Sequence, residues 1–326
     1  MKNSIDRTDS WKQCISRFPE SIRYDIDSIW DHQGVLPAAM VEQILEKTDI
    51  KIGTLMMQLL PIAQQYAVVP VSGYQVGAVA AGMTAGNSAS LYLGANFEFR
   101  NVALSFSVHA EQSATNNAWL NGEPGIQTLA ISAAPCGYCR QFLNELVTSR
   151  ELSILLPLDA KNPLAYSTTP LTTLLPNDFA PGDLGVKGGL MDPALCTHEL
   201  VLASGATSDP VVAAALTAAS GSYAPYLTAT SNQYAGVAVQ LADGTIYPGR
   251  YAENCAYNPS LSPLQSALSF MHLMHPLGGT REVTRCVLVE VPTLASQLSA
   301  TEAVLAAYAP GVTLEYHVAG VGGEIF

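Results

Sequence analysis

Three side chains have the type and spacing to hold a metal ion. They are His109, Cys136 and Cys139, in the stretches His109-Ala110-Glu111 and Pro135-Cys136-Gly137-Tyr138-Cys139. One imidazole and two thiolates suit zinc. Three protein ligands leave the fourth tetrahedral position open to water, which marks a catalytic rather than a structural site. A closed structural knot needs a fourth ligand, and the neighbouring sequence offers no further Cys or His for it. Glu111 lies two residues from His109, so it can reach that water without binding the ion. Zinc brings the pKa of a bound water to about 7. The four residues therefore define a hydrolytic centre in which Glu111 moves the protons.

The elements that position them follow from the pattern of apolar residues. His109 opens a helix that runs to Gly122, Ile126–Ile131 is a strand, and Pro135 starts a second helix carrying Cys136 and Cys139. Both ligand groups thus sit at helix N-termini, where the partial positive charge favours thiolate. Upstream, 74–80 and 90–96 alternate as a hairpin, with Gly82, Gly86, Asn87 and Ser88 in its turn region. Strands alternating with helices predict an α/β/α sandwich around a mixed sheet.

Length and composition bound the remainder. A chain of 326 residues predicts two domains, and 48% hydrophobic against 13% charged residues predicts buried cores. The net charge of −12 repels phosphate backbones and argues against broad nucleic-acid binding. Six sparse cysteines, two of them in a metal-type pair, point to a reducing, cytoplasmic setting. The polar stretch 1–17 does not read as a secretory signal, and no apolar run is long enough for a membrane span.

Residues 1–50 read as an N-terminal helical segment, with Ile22, Ile26, Ile29 and Trp30 at helical spacing. A catalytic domain is expected over 51–185, a Pro-, Gly- and Ser-containing linker over 186–212, and a second domain over 213–326. The second domain repeats the first in weaker form. Tyr234–Val239 parallels Gln75–Val79, Ile246–Gly249 parallels Leu91–Gly94, and Glu253 falls where Glu98 stands. Pro263-Leu264-Gln265 stands where His109-Ala110-Glu111 would recur, and no Cys-x-x-Cys follows. The reading is a duplicated domain whose second copy has lost its metal.

With these stretches in place, the chain resembles the larger, two-repeat type of cytidine deaminase. The likeness is carried by Gly94-Ala95-Asn96-Phe97-Glu98-Phe99, His109-Ala110-Glu111-Gln112, Pro135-Cys136-Gly137-Tyr138-Cys139-Arg140 and Leu175–Leu184. His-x-Glu followed by Pro-Cys-x-x-Cys is the known signature of zinc deaminases. The resemblance implies one zinc ion per subunit on His109, Cys136 and Cys139, with Glu111 as proton shuttle. It implies that Asn96 and Glu98 meet the ribose hydroxyls, that Tyr74 and Phe179 face the pyrimidine ring, and that the Ala110 backbone meets the ring's polar edge. It also implies a homodimer acting on a free nucleoside, cytidine or deoxycytidine, in pyrimidine salvage. On spacing alone, Asn96 and Glu98 could equally close a strand end, and Phe179 could be packing. Arg140 could either approach a ligand thiolate or lie on the surface.

Two other readings compete. One is a polynucleotide cytosine deaminase, which the acidic charge disfavours. The other is a non-catalytic dimeric scaffold, which an intact Glu111 beside a full ligand set disfavours. His272 and His275 lack a third ligand, and His32, His198 and His317 are isolated. No Gly-rich phosphate loop, serine nucleophile or dinucleotide fingerprint stands out.

Overall fold

A computed structural model describes residues 7–83, 88–159, 162, 165–226, 232–274 and 281–322. The centre of the first hairpin's turn region (84–87) and His275 lie outside the described residues.

Helices α1 (Asp9–Ser16) and α2 (Glu20–Asp27), strand β1 (Val35–Leu36), and helices α3 (Ala38–Thr48) and α4 (Ile52–Ala63) come first. Ile22, Ile26, Ile29 and Trp30 are buried as their spacing predicts. The Trp11 and Trp30 rings meet edge to face at 5.0 Å. Fully burying an aliphatic side chain of this kind contributes roughly 1.5–3 kcal/mol. The segment does more than cover the first sheet, because β1 extends it.

That sheet is built from β2 (Gly77–Gly82), β3 (Leu91–Ala95), β4 (Ile126–Ile131), β5 (Ser153–Pro157) and β6 (Tyr166–Pro170). Helix α5 (Ala110–Leu120) lies between β3 and β4 in the chain, and α6 (Gly137–Leu143) between β4 and β5. The order is β1-β3-β2-β4-β5-β6, and β4–β5 is its parallel pair. Ala78 and Ala80 face the cluster containing α5, while Val79 and Ala81 face the one containing α4. Alternation along β2 thus gives the sheet a helix layer on each side. The fold is an α/β/α sandwich.

After α7 (Leu171–Leu174), a second mixed sheet is formed by β7 (Leu200–Leu202), β8 (Ala235–Leu241), β9 (Ile246–Arg250), β10 (Val283–Glu290) and β11 (Leu314–Val321). Its order is β7-β11-β10-β8-β9. Helices α8 (Pro210–Ser220), α9 (Pro263–His272) and α10 (Leu298–Tyr308) accompany it. The stretch 186–212, expected as a linker, carries β7, whose Leu200 and Leu202 are buried and which pairs with β11.

The duplication can be followed atom by atom. Val68 bridges to Phe97, and Phe97 to Val108; Tyr223 bridges to Ala252, and Ala252 to Leu261. A Cβ on Gly94 would lie 2.1 Å from Ala114 N, and one on Gly249 would lie 2.3 Å from Ala267 N. Only glycine admits such an approach of helix to strand, and it occurs in both copies. These matches shift the expected register by one residue. Ser262, not Pro263, stands where His109 does, and Leu264 stands where Glu111 does. Counted on from Ile131 and Leu288, which face Ala78 and Val237, Thr293 and Ser296 replace Cys136 and Cys139.

The copies pack on each other through α5 and α9 about a local pseudo-two-fold axis. Gln112 Nε2 donates to Pro259 O (3.3 Å), and its counterpart Gln265 Nε2 donates to Phe106 O (2.9 Å). Ser269 Oγ donates to Ser113 Oγ (2.9 Å), and Ser266 Oγ donates to Asn116 Oδ1 (2.6 Å). These buried polar residues satisfy one another across the axis, as buried polar groups must.

Candidate metal centre

His109 is the residue that caps α5, Cys136 caps α6, and Cys139 lies in the first turn of α6. The parallel β4–β5 connection carries α6 beneath the N-terminus of α5. His109 Nδ1 lies 3.2 Å from Cys139 Sγ and 3.7 Å from Cys136 Sγ. The three donor atoms lie within 4.8 Å of one another. A tetrahedral zinc ion, with usual bond lengths near 2.0 Å to N and 2.3 Å to S, sets N and S about 3.6 Å apart. The donor set therefore fits zinc in both chemistry and size.

The site is braced from several sides. Tyr138 stacks on the His109 ring at 5.2 Å and 28°. The His109 N–H donates to Gln112 Oε1 (3.1 Å). The Cys136 thiol is lowered to about 5, chiefly by the hydrogen bond from Cys139, with burial opposing. Cys139 is raised by its hydrogen bond to Cys136 and by burial. The two sulfurs thus share a proton that a cation would displace. Glu111 is buried at 4% exposure, and burial pushes its carboxyl up. A carboxyl raised in this way holds a proton more readily than an exposed one, which suits a group that takes and returns protons.

A cavity of about 420 Å³ opens beside these residues, lined by Tyr74, Asn96, Glu98, His109, Glu111 and Cys136, with Ala110 at its edge. Asn96 Oδ1 accepts from Val76 N–H (2.8 Å), and its Nδ2 donates to Tyr74 O (2.9 Å). One lone pair and one amide hydrogen remain for another partner. Burial would raise Glu98, but hydrogen bonds from the Ser72 hydroxyl and the Ser72 and Val71 N–H groups outweigh it and hold the carboxyl low. Tyr74 stands at the mouth, 63% exposed.

Two expected residues are placed elsewhere. Phe179 does not line this cavity. It is 44% exposed, and its carbonyl accepts from Gln141 Nε2 (2.8 Å) and Asn144 Nδ2 (3.1 Å). Among the described residues Arg140 donates to no thiol; Nε bonds Pro135 O and Nη1 bonds Leu174 O, both at 2.9 Å. Its guanidinium ties down the backbone just before Cys136 rather than trimming the charge of a ligand. Gln112, Ser72 and Tyr138 went unassigned from sequence. The signal for Gln112 was available: a polar run, Gln112-Ser113 and Thr115-Asn116-Asn117, follows the first ligand and is wholly buried. His272 is buried, with its Nε2 on Tyr308 Oη at 2.8 Å.

An α/β/α domain presenting His, Cys, Cys and a buried Glu at two facing helix N-termini is the frame of a zinc-dependent hydrolytic enzyme. Models of the cytidine and deoxycytidylate deaminase zinc-binding region match residues 51–154 and again 171–304. A cytidine deaminase of Aliivibrio fischeri is 38% identical over 308 residues, covering 94% of this chain and 96% of that protein. One from Aeromonas hydrophila is 44% identical over 262 residues, covering 80% and 81%. The crystal structure of cytidine deaminase from Mycobacterium tuberculosis is 26% identical and covers 40% of this chain and 99% of its own, with a TM-score of 0.32. The chain belongs to the cytidine and deoxycytidylate deaminase family. It is an enzyme of that family, and its cofactor is zinc.

Proposed function

We propose that this chain hydrolyses cytidine and deoxycytidine to uridine and deoxyuridine, releasing ammonia, in pyrimidine salvage. The observation that carries the reading is the fit of His109 Nδ1, Cys136 Sγ and Cys139 Sγ to a zinc ion beside buried Glu111. The named activity of the curated relatives supports the substrate. When bound, zinc lowers the pKa of a water ligand so that a nucleophile is available near neutral pH. His109, Cys136 and Cys139 would hold the ion. Glu111 takes a proton from the attacking water, returns it to ring N3 as C4 becomes tetrahedral, and carries the next proton to the leaving amine. The Ala110 backbone, at the N-terminus of α5, faces the ring's polar edge. Asn96 and Glu98 take the ribose hydroxyls, and Tyr74 closes over the ring. Glu98, held ionised beside the sugar, favours a free nucleoside over a phosphorylated one.

Phe179 supports a homodimer. An exposed ring whose backbone is held by the Cys136–Cys139 helix, outside its own pocket, fits a role in the pocket of a second subunit. All six cysteines are free thiols, which fits a cytoplasmic enzyme. No helix among the described residues is long and apolar enough to cross a membrane.

The test is the loss of cytidine's ultraviolet absorbance with and without a zinc chelator. Turnover that the chelator abolishes and added zinc restores supports the proposal; no turnover in either condition defeats it. A polynucleotide substrate would show instead as retention of single-stranded RNA on a filter at moderate salt.

A further inference from the structure

The second domain keeps a cavity of about 400 Å³ where the first has its pocket. Glu253 lines it, 4% exposed. The backbone of Glu253 repeats that of Glu98. Each donates its N–H across the domain, Glu98 to Val68 O and Glu253 to Tyr223 O, both at 2.8 Å. The carboxyls repeat as well. Glu98 accepts from Val71 N–H at 3.0 Å, and Glu253 from its counterpart Tyr226 N–H at 3.1 Å. By the strand register, Gln233 occupies the position of Tyr74, and Tyr251 that of Asn96. Gln233 is 3% exposed and lines the same cavity.

Among the described residues the Gln233 amide has no hydrogen-bond partner, and Tyr226 N–H is the one partner of the Glu253 carboxyl. Both side chains line the cavity and keep hydrogen-bonding capacity that a ligand there can use. Tyr226, Tyr251 and Tyr257 add aromatic surface. Burial pushes Glu253 up to about 7, so near neutrality it both donates and accepts, as hydroxyl partners require. The chemistry, by contrast, has gone. Leu264 replaces Glu111, and Ser262, Thr293 and Ser296 replace the three metal ligands.

We propose that the second domain's cavity is a binding site for a nucleoside, which it holds without converting. The choice of nucleoside rests on reading the first pocket as a nucleoside site. Two buried carboxyls, Glu253 and nearby Glu145, count against a phosphorylated ligand. The two pockets adjoin. A cleft of about 620 Å³ shares Leu104, Ser107 and His109 with the first and Tyr251, Tyr257 and Ser296 with the second.

The test is the stoichiometry of uridine binding, measured by calorimetry on the full zinc-loaded chain, because uridine is not turned over. The parent protein should bind two uridines per chain, and Gln233→Leu/Glu253→Gln one. A single site in the parent, kept in that variant, overturns the proposal and leaves the reading of the first pocket intact. No binding at all overturns both. Should the double variant fold poorly, Asn96→Ala/Glu98→Ala decides. With the first pocket weakened and zinc content normal, uridine binding must persist at one site per chain; its complete loss refutes the second site.

Discussion

Gln112 links the metal-free domain directly to a zinc ligand. Its Oε1 holds the His109 N–H at 3.1 Å, and its Nε2 holds Pro259 O at 3.3 Å. Gln112→Leu keeps the volume and removes all of these bonds. It strands one N–H and one carbonyl at roughly 1–3 kcal/mol each, so the fold should lose about 2–6 kcal/mol. The ligand residue loses the bond that fixes its backbone. Loss of such outer support weakens metal binding by about 10–100-fold. Gln265→Leu is the internal control. It stands at the pseudo-symmetric position and strands a single carbonyl, Phe106 O, and it makes no hydrogen bond to His109 or to Tyr138. It should cost about 1 kcal/mol and leave zinc affinity unchanged. The assay is competition for zinc against a chromogenic chelator, paired with denaturant unfolding of the zinc-loaded chain. If the two variants lower zinc affinity equally, or neither does, Gln112 is only an interface residue and the argument fails.

Further outcomes follow from the same geometry. Glu111→Gln should retain zinc by metal analysis while kcat for cytidine falls by about 10²–10⁴-fold; near-parent turnover would remove Glu111 from the proton path. Gly94→Ala drives a Cβ to 2.1 Å from Ala114 N, inside the wall that carries His109. It should cost about 3 kcal/mol or more and shift the thermal midpoint down accordingly. Glu253 is pushed up to about 7 by burial, so the folded chain binds its proton more tightly than the unfolded one. Stability should therefore fall as pH rises from about 4.5 to about 7, by about 3 kcal/mol at most, and level off above. Glu253→Gln should flatten that slope in unfolding curves measured across the window.

The ligand triad, Glu111 and the sandwich were legible in the sequence because each is set by local pattern. Two motifs fix the metal chemistry, and the alternation along 77–82 fixes which side chains face which helix layer. The linker expected over 186–212 misses β7 because that strand is three residues long and its partner β11 lies more than a hundred residues on. No local pattern announces such a strand. The register of the second copy slipped by one because its hairpin is shorter and its loop before α9 is trimmed. The repeated bridges and the glycine contacts at Gly94 and Gly249 restore the alignment. Arg140 was left open because a helix fixes the direction of a long side chain only within reach of several acceptors. Here two backbone carbonyls win over the thiolates.

What the second domain has lost and kept follows a physical division. The replaced positions, Ser262, Leu264, Thr293 and Ser296, serve only an ion and a proton, and small or apolar residues fill them without leaving a buried charge. The retained positions, Gln265, Ser266 and Ser269, face α5. Were α9 apolar there, Asn116 and Ser113 would lose the hydroxyl partners that now answer them, at roughly 1–3 kcal/mol per buried polar group stranded. Helix α5 begins at His109 and carries Glu111 in its first turn, so any shift that relieved those groups would move the ligand and the proton carrier together. The metal-free copy grips α6 as well, where Asn254 Nδ2 donates to Gln141 O (3.0 Å), so it acts on both helices that carry the ligands, and its contribution should appear in zinc affinity and kcat rather than in KM.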